Sequence, residues 1–356
     1  MKLKKSASLI AAIAAATATI AVPAANSVTV GPGSPIRMPE PGAAVDDGRH
    51  VKTGMCSTGV PGTVTDADGV QHRVIITAGH CVNPDGNPQL PQSTGEIFAP
   101  THDGNVRIGE VGPAGFPLMD ENDPAAGDLG AVLDSTFNGS DYAFIVVDEG
   151  VGTTSVSQSV DENGVAGGNG GRIVGADGVP MTGVVDYREL KPGEVSVDNF
   201  GRPICSDGSR TGRNCGVQVF RVRNGVWAVS YLGKGDSGGN AYDPITNQAI
   251  GVNSMAIGPV ARYQPVDQAI QDACGVEDGK VNEHFAVEES TAPQSDFRTI
   301  GQDVAADQAW IAENEPAPEP GAGSLIPGLP ELPLPSQAAQ TPELPQVPVL
   351  SDLIAR

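Results

Sequence analysis

Phe220-Arg221-Val222-Arg223-Asn224-Gly225-Val226-Trp227-Ala228-Val229 is the stretch that decides the fold class. Large apolar and charged residues alternate over 220–223, which is strand periodicity. Asn224-Gly225 offers a type I′ turn, and Val226 to Val229 returns as a second strand. Short apolar runs that suit buried strands lie on both sides: Val74-Ile75-Ile76, Tyr142 to Val147 and Ile250 to Val252. Regular helical spacing is nearly absent between Cys56 and Gly275. The exception follows Pro265, where Val266 and Ile270 lie four apart and Gly275 stands as a stop. Many short strands in so long a segment imply an all-β barrel or sandwich.

Composition agrees. The chain of 356 residues carries 46 Gly and 30 Pro but only 4% aromatics, a profile of many turns. Its net charge of −22 repels phosphate backbones, which argues against a nucleic-acid partner. No long apolar run lies beyond the N-terminus, so no internal membrane span is expected. Five Cys are too few for a disulfide mini-protein. No C-x-x-C pair points to zinc, and no metal or other cofactor is expected.

The chain divides by character. Residues 1–25 read as a secretory signal: Lys2, Lys4 and Lys5, then an apolar run from Leu9 to Val22, then small residues around Val22-Pro23-Ala24. An uncleaved anchor is the alternative, but the run is short for a span. Export would place the chain outside the cell, where Cys residues pair. Residues 26–53 read as an extended segment, 54–280 as the folded domain, and 281–315 as a linker with a short helix around Val304 to Ile311. Residues 316–356 form a Pro-rich tail, with 10 Pro between Pro316 and Pro348. Such a segment buries no core, is expected to be disordered, and suits a partner or spacer role.

Three motifs carry chemistry. Thr77-Ala78-Gly79-His80-Cys81 follows an apolar strand. Ser140-Asp141-Tyr142-Ala143-Phe144-Ile145 sets an acid before another. Gly235-Asp236-Ser237-Gly238-Gly239 surrounds a Ser with glycines. A Ser hydroxyl needs a neighbouring imidazole to take its proton. The imidazole needs a carboxylate to hold its tautomer and its positive charge. The developing oxyanion needs fixed donors, which the Gly235 and Ser237 N–H groups supply if the loop turns. Asp128 and Asp134 are rivals for the acid. Gly235-x-Ser237-x-Gly239 also fits the nucleophile elbow of α/β-hydrolases, which needs a later His; only His284 follows.

Together the motifs resemble those of the chymotrypsin-type serine proteases, above all the secreted bacterial branch of streptogrisins and alpha-lytic protease. Cys56-Ser57-Thr58-Gly59, the loop Cys205 to Gly216, and Tyr263-Gln264-Pro265-Val266 extend the resemblance over about residues 54–275. The resemblance implies an all-β fold of two antiparallel β-barrels with a short C-terminal helix. It implies a triad of His80, Asp141 and Ser237, with an oxyanion hole at Gly235 and Ser237. Disulfides Cys56–Cys81 and Cys205–Cys215 are implied, with Cys274 left over as a buried thiol or an intermolecular bridge. The implied substrate pocket comprises Tyr231, Leu232, Ser254, Met255 and Ala256. It has no carboxylate, so apolar residues before the scissile bond are expected. Protein or peptide substrates follow; a non-catalytic secreted binding or adhesion protein on the same fold is the alternative.

Four departures stand out. Ser206 follows Cys205 where relatives carry an Arg for the acid before the nucleophile, here Asp236, so Arg202, Arg210 or Arg213 is expected to substitute. No Arg-Ile-Val-Gly-Gly junction precedes Cys56. The stretch before Cys56 is too short for a large folding pro-region. The Cys expected shortly before the nucleophile is replaced by Leu232 and Gly233.

Overall fold

The computed structural model describes residues 28–66, 69–82, 94–115 and 128–315. The signal segment and the Pro-rich tail lie outside the described residues. The main strands of the two large sheets are β1 (Pro35–Met38), β2 (Gly54–Ser57), β3 (Pro61–Thr65), β4 (Gln71–Thr77), β5 (Glu96–Thr101), β6 (Gly104–Gly115), β7 (Tyr142–Val147), β8 (Pro203–Gly208), β9 (Gly212–Val222), β10 (Gly225–Val229), β11 (Asn240–Asp243), β12 (Gln248–Ile257), β13 (Val260–Pro265) and β14 (Phe285–Val287); the two-residue strand Gly183–Val184 adds to the second sheet, parallel to β12.

The first sheet has eight strands in the order β14-β3-β4-β7-β6-β5-β1-β2. Two of the apolar runs expected to be buried lie at its centre, with Ile75, Ile76, Phe144 and Ile145 at most 1% exposed, and the third, Ile250 to Val252, lies buried on β12 of the second sheet. The second sheet runs β12-β11-β8-β9-β10-β13, and pairing of β12 with β13 closes it into a barrel. Ile204, Val226, Ala228, Ala241, Ile250, Ala261 and Tyr263 fill its core. This is the all-β, chymotrypsin-like architecture that the motifs imply.

The β9–β10 hairpin exists, but its turn differs from expectation. Val222 pairs with Gly225, so the turn residues are Arg223 and Asn224. Neither has a positive φ, so the turn is not type I′. Tertiary contacts decide this: the Asn224 amide donates to the Asn138 carbonyl, and a Cβ on Gly225 would lie 3.0 Å from both Arg262 Nε and Trp227 Nε1. After β13 the expected helix forms over Val266–Cys274. Gly275 ends it in the left-handed region at φ 67°.

Both flanking segments are corrected. Residues 26–53 are not merely extended, because β1 lies within them and pairs with β2 and β5. Residues 281–315 are not a linker. β14 pairs with β3, burying Phe285, and a helix spans Ile300–Asn314, longer than expected. Asp303 of that helix accepts from Arg37 Nε at 2.7 Å and from Arg298 Nε at 2.7 Å. Asp307 pairs with Arg49 and accepts from the Lys52 N–H. Arg37 is fully buried, so an unpaired partner would be costly, and the pair ties the C-terminal helix to an N-terminal strand.

Candidate active site

Strand register brings the imidazole and the carboxylate together. In the antiparallel β4–β7 pair, Thr77 lies opposite Ala143. Beyond that pair the chain leaves β4 for a single helical turn, Gly79–Val82, which carries His80 beside Asp141, the residue just before β7. Gly79 is required here, since a Cβ would lie 2.5 Å from the Gly115 carbonyl oxygen. His80 Nδ1 lies 3.0 and 3.1 Å from the Asp141 carboxylate oxygens. The His80 backbone N–H donates to the same group at 2.9 Å. The Cys56–Cys81 disulfide pins the next residue to β2.

Asp141 is fully buried. Ser254 Oγ donates to its Oδ2 at 2.5 Å, and its backbone N–H donates to Gln264 Oε1 at 2.8 Å. Ser254 sits at a register shift of β12, where Asn253 pairs with Tyr263 but Met255 with Arg262. The bulge re-aims its hydroxyl toward the first sheet. Burial alone would push the Asp141 carboxyl up. The His80 imidazole and the Ser254 hydroxyl outweigh that and hold it at about 2. Burial alone would pull His80 down, but the Asp141 carboxylate raises it above its usual value, while Arg262 works against that rise. The imidazole side chain is 29% exposed, so its ring is partly open to solvent.

The rival acids have other duties. Asp128 caps the helix Leu129–Asn138, accepting from the Gly130 and Ala131 N–H groups. Asp134 accepts from Asn138 within that helix. His284 Nδ1 faces the Thr65 carbonyl on β3, which removes the elbow reading.

The Ser237 loop lies against the end of β4. The Ser57 N–H donates to the Ser237 carbonyl at 2.8 Å. A Cβ on Gly238, at φ 78°, would stand 2.0 Å from Thr77 Oγ1, so only glycine lets the loop approach. Among the described residues no hydrogen bond joins Ser237 Oγ to His80; such bonds often tighten only when substrate binds. Gly235 takes φ 104°. Its carbonyl accepts from Ser57 Oγ at 2.8 Å and Ser209 Oγ at 3.2 Å. A Cβ there would meet Ile300 Cδ1 at 2.6 Å, so the C-terminal helix begins directly behind this glycine.

Asp236 corrects the expectation of an arginine partner. Its carboxylate is 1% exposed and accepts from Thr211 Oγ1 at 2.6 Å and from the N–H groups of Gly233, Arg210 and Thr211 at 2.7–2.9 Å. The Arg210 side chain pairs with Glu162 instead, and Arg213 with Asp207 at 2.9 Å; Arg202 is not among the partners. Without a cation, burial pushes the Asp236 carboxyl up, and the four donors only partly offset it.

A cavity of about 250 Å³ opens beside Ser237, lined in part by Leu232, Lys234, Asn253, Ser254, Met255 and Ala256. Tyr231, expected at its base, is 59% exposed and lies outside the lining. The pocket loop turns its ring to solvent and presents Leu232 instead. Lys234 is the single charged side chain of that lining. The second bridge, Cys205–Cys215, spans a directly paired position of β8 and β9. Cys274 is free, and burial pushes its thiol up to about 11.

Sequence reasoning missed Thr211, Arg262, Gln264 and Ile300. The signal for two of them was present: Arg262 and Gln264 are polar residues interleaved with Ala261, Tyr263 and Pro265 in a strand that enters the core.

No protein-family model and no curated protein matches the sequence. Among solved structures, the chain is similar to Nocardiopsis protease at 19% identity and TM-score 0.40, covering 69% of this chain and 96% of that one. It is similar to Thermobifida fusca protease A at 18% identity and TM-score 0.39, covering 68% and 95%. The Cellulomonas bogoriensis chymotrypsin gives 22% identity and TM-score 0.38, covering 68% and 95%. The assignment of the fold rests on the strand order and the barrel closure described above, and the solved structures this chain is similar to are bacterial chymotrypsin-like serine proteases.

Proposed function

We propose that this chain is a secreted serine endopeptidase that works through His80, Asp141 and Ser237. The observation that carries the reading is the buried Asp141 carboxylate on His80 Nδ1, since it leaves Nε2 as the acceptor facing outward. In this reading Ser237 Oγ attacks the scissile carbonyl and passes its proton to His80 Nε2. The carbonyl oxygen becomes an oxyanion, held by the N–H groups of Gly235 and Ser237. Collapse breaks the C–N bond, and His80 gives the proton to the leaving amine. Water then repeats the sequence on the acyl-enzyme. Two disulfides suit an oxidising compartment, and no helix among the described residues is long and apolar enough to cross a membrane.

Leu232, Met255 and Ala256 favour an apolar residue before the scissile bond, since a cation there would meet no carboxylate. The test is hydrolysis of an unfolded protein and a peptide library. Ser237→Ala or His80→Ala should lose about 10⁴-fold in kcat/KM, and Asp141→Asn most of the activity. Asp128→Asn and Asp134→Asn should retain it. Full activity in Asp141→Asn would refute the triad, and cleavage chiefly after Arg or Lys would refute the pocket.

A further inference from the structure

Behind the Asp141 carboxylate lies a buried cation that the proposed chemistry does not use. Arg262, on β13, is fully buried, yet no carboxylate pairs with it directly. Its Nη1 donates to Ser254 Oγ at 2.7 Å, and Ser254 Oγ donates to Asp141 Oδ2 at 2.5 Å. Its Nη2 donates to the carbonyls of Gly139 and Asn224, each at 2.5 Å. Its Nε is buried without a hydrogen-bond partner among the described residues. A guanidinium so placed cannot leave, is poorly solvated, and finds its counter-charge one hydroxyl away.

We infer that Arg262 is a positioning residue for the triad: through Ser254 it fixes the Asp141 carboxylate, and its buried charge limits how firmly His80 holds a proton. The inference rests on the proposed role of His80 as base. Geometry sets both effects. Ser254 has one proton and gives it to Asp141; the Arg262 donor occupies a lone pair and so fixes which way that hydroxyl points. The interaction with charge is long-range and only partly screened, because Arg262, Ser254 and Asp141 are all buried while the imidazole is partly open. The charged groups facing His80 from the packed elements are Asp141 of the segment before β7 and Arg262 of β13; the adjoining Cys56 and Cys81 are tied in a disulfide and do not titrate. Facing Arg262, the charged group is Asp141; α-helix Leu129–Asn138 and the β9–β10 turn offer it only carbonyls.

Two opposing charges therefore act on the imidazole. Asp141 favours imidazolium, and Arg262 tempers it, keeping the neutral base available at lower pH than Asp141 alone would allow. Burial without a direct ion-pair partner lowers the Arg262 guanidinium to about 10, still charged wherever His80 titrates.

The test is an NMR titration of the His80 imidazole in the full chain, alongside the pH profile of kcat/KM. Arg262→Gln removes the charge while keeping an amide to donate to the carbonyls. The His80 midpoint should rise by about one unit, and the acid limb of kcat/KM should move up with it. Well below that midpoint, kcat/KM should fall about ten-fold, while the alkaline plateau moves far less. Arg262→Lys should bring the midpoint back toward the wild-type value. A purely structural Arg262 would cost stability without moving the midpoint, so an unchanged or lowered midpoint in folded Arg262→Gln overturns the inference. Should that variant fail to fold, Arg262→Met removes the same charge and leaves no buried polar group at the position. An upward shift there supports the inference, and an unmoved midpoint overturns it. If the wild-type chain hydrolyses nothing, the protease reading falls, but the titration midpoints still decide whether Arg262 governs His80.

Discussion

Thr211→Val tests how the Ser237 loop is held. The Thr211 hydroxyl donates to Asp236 Oδ2 at 2.6 Å and accepts from Asn214 Nδ2 at 2.6 Å. Valine has the same shape and neither function. Losing a hydrogen bond to a buried charged group costs about 1.5–3 kcal/mol. The Asn214 bond, at a half-buried amide that water can reach, adds about 0.5–1 kcal/mol. The sum is about 2–4 kcal/mol, or a fall in Tm of roughly 3–7 °C for a domain of this size. The carboxylate keeps three N–H donors, so the fold should survive. What loosens is the turn from Gly233 to Gly239, which carries both candidate oxyanion donors. We therefore expect kcat to fall with KM nearly unchanged, because donors aimed at the transition state matter little to ground-state binding. The Asp236 carboxyl, already pushed up by burial, should rise further. Thr211→Ser restores the hydroxyl and should recover most of both losses. Differential scanning calorimetry and steady-state kinetics on the three proteins decide it. A Thr211→Val protein with wild-type Tm and wild-type kcat would show that the backbone donors suffice and that Thr211 is incidental.

Two further outcomes are expected. Ile300→Ala opens a space directly behind Gly235 and should cost about 2–5 kcal/mol of stability. It should also lower kcat more than it raises KM, and a folded Ile300→Ala with unchanged kcat would separate the C-terminal helix from the oxyanion loop. Asp267, fully buried in the helix after β13, accepts from the Tyr187 and Gln268 N–H groups, yet burial pushes its carboxyl up to about 7. An acid with a raised folded-state pKa destabilises the fold as it ionises, so this contribution declines from about pH 4 to about pH 7, by up to about 4 kcal/mol, and is flat above. Asp267→Asn should flatten that decline in urea unfolding; wild-type and variant curves that stay parallel would refute it.

Much of the fold was legible because it rests on local signals. The apolar runs at 74–76 and 142–147 read as buried strands, and they occupy the centre of the first sheet. Gly275 read as a helix stop and adopts the left-handed conformation. The pairing of His80 with Asp141 was legible only through motif resemblance, since the β4–β7 register that enforces it is a non-local property. The segment 281–315 was misread for a related reason. The helix Ile300–Asn314 buries little apolar surface; its anchors are Asp303 and Asp307, paired with Arg37 and Arg49 far away in sequence. Ion pairs between chain ends leave no periodicity to find. Asp236 was misjudged because a buried carboxylate was assumed to need a cation, when backbone N–H groups and one hydroxyl fill the same acceptor sites.

That substitution changes what the site depends on. A carboxylate held by a cation from elsewhere in the chain is set by one long-range contact. Here the hairpin between β8 and β9 supplies the Arg210 and Thr211 donors, and the Asp236 turn supplies its own Gly233 N–H. The Cys205–Cys215 bridge ties the two strands of that hairpin a few residues away. From the other side Ser57 and Ser209 hold the Gly235 carbonyl, and Ile300 closes the space behind it. Every one of these contacts belongs to a folded element in the continuous chain. The geometry of the loop therefore forms when the two sheets and the C-terminal helix form, with no new α-amino group required to set it. Loss of any one support should lower catalysis by degrees, and loss of the helix should affect a site that lies far from it in sequence but directly against it in space.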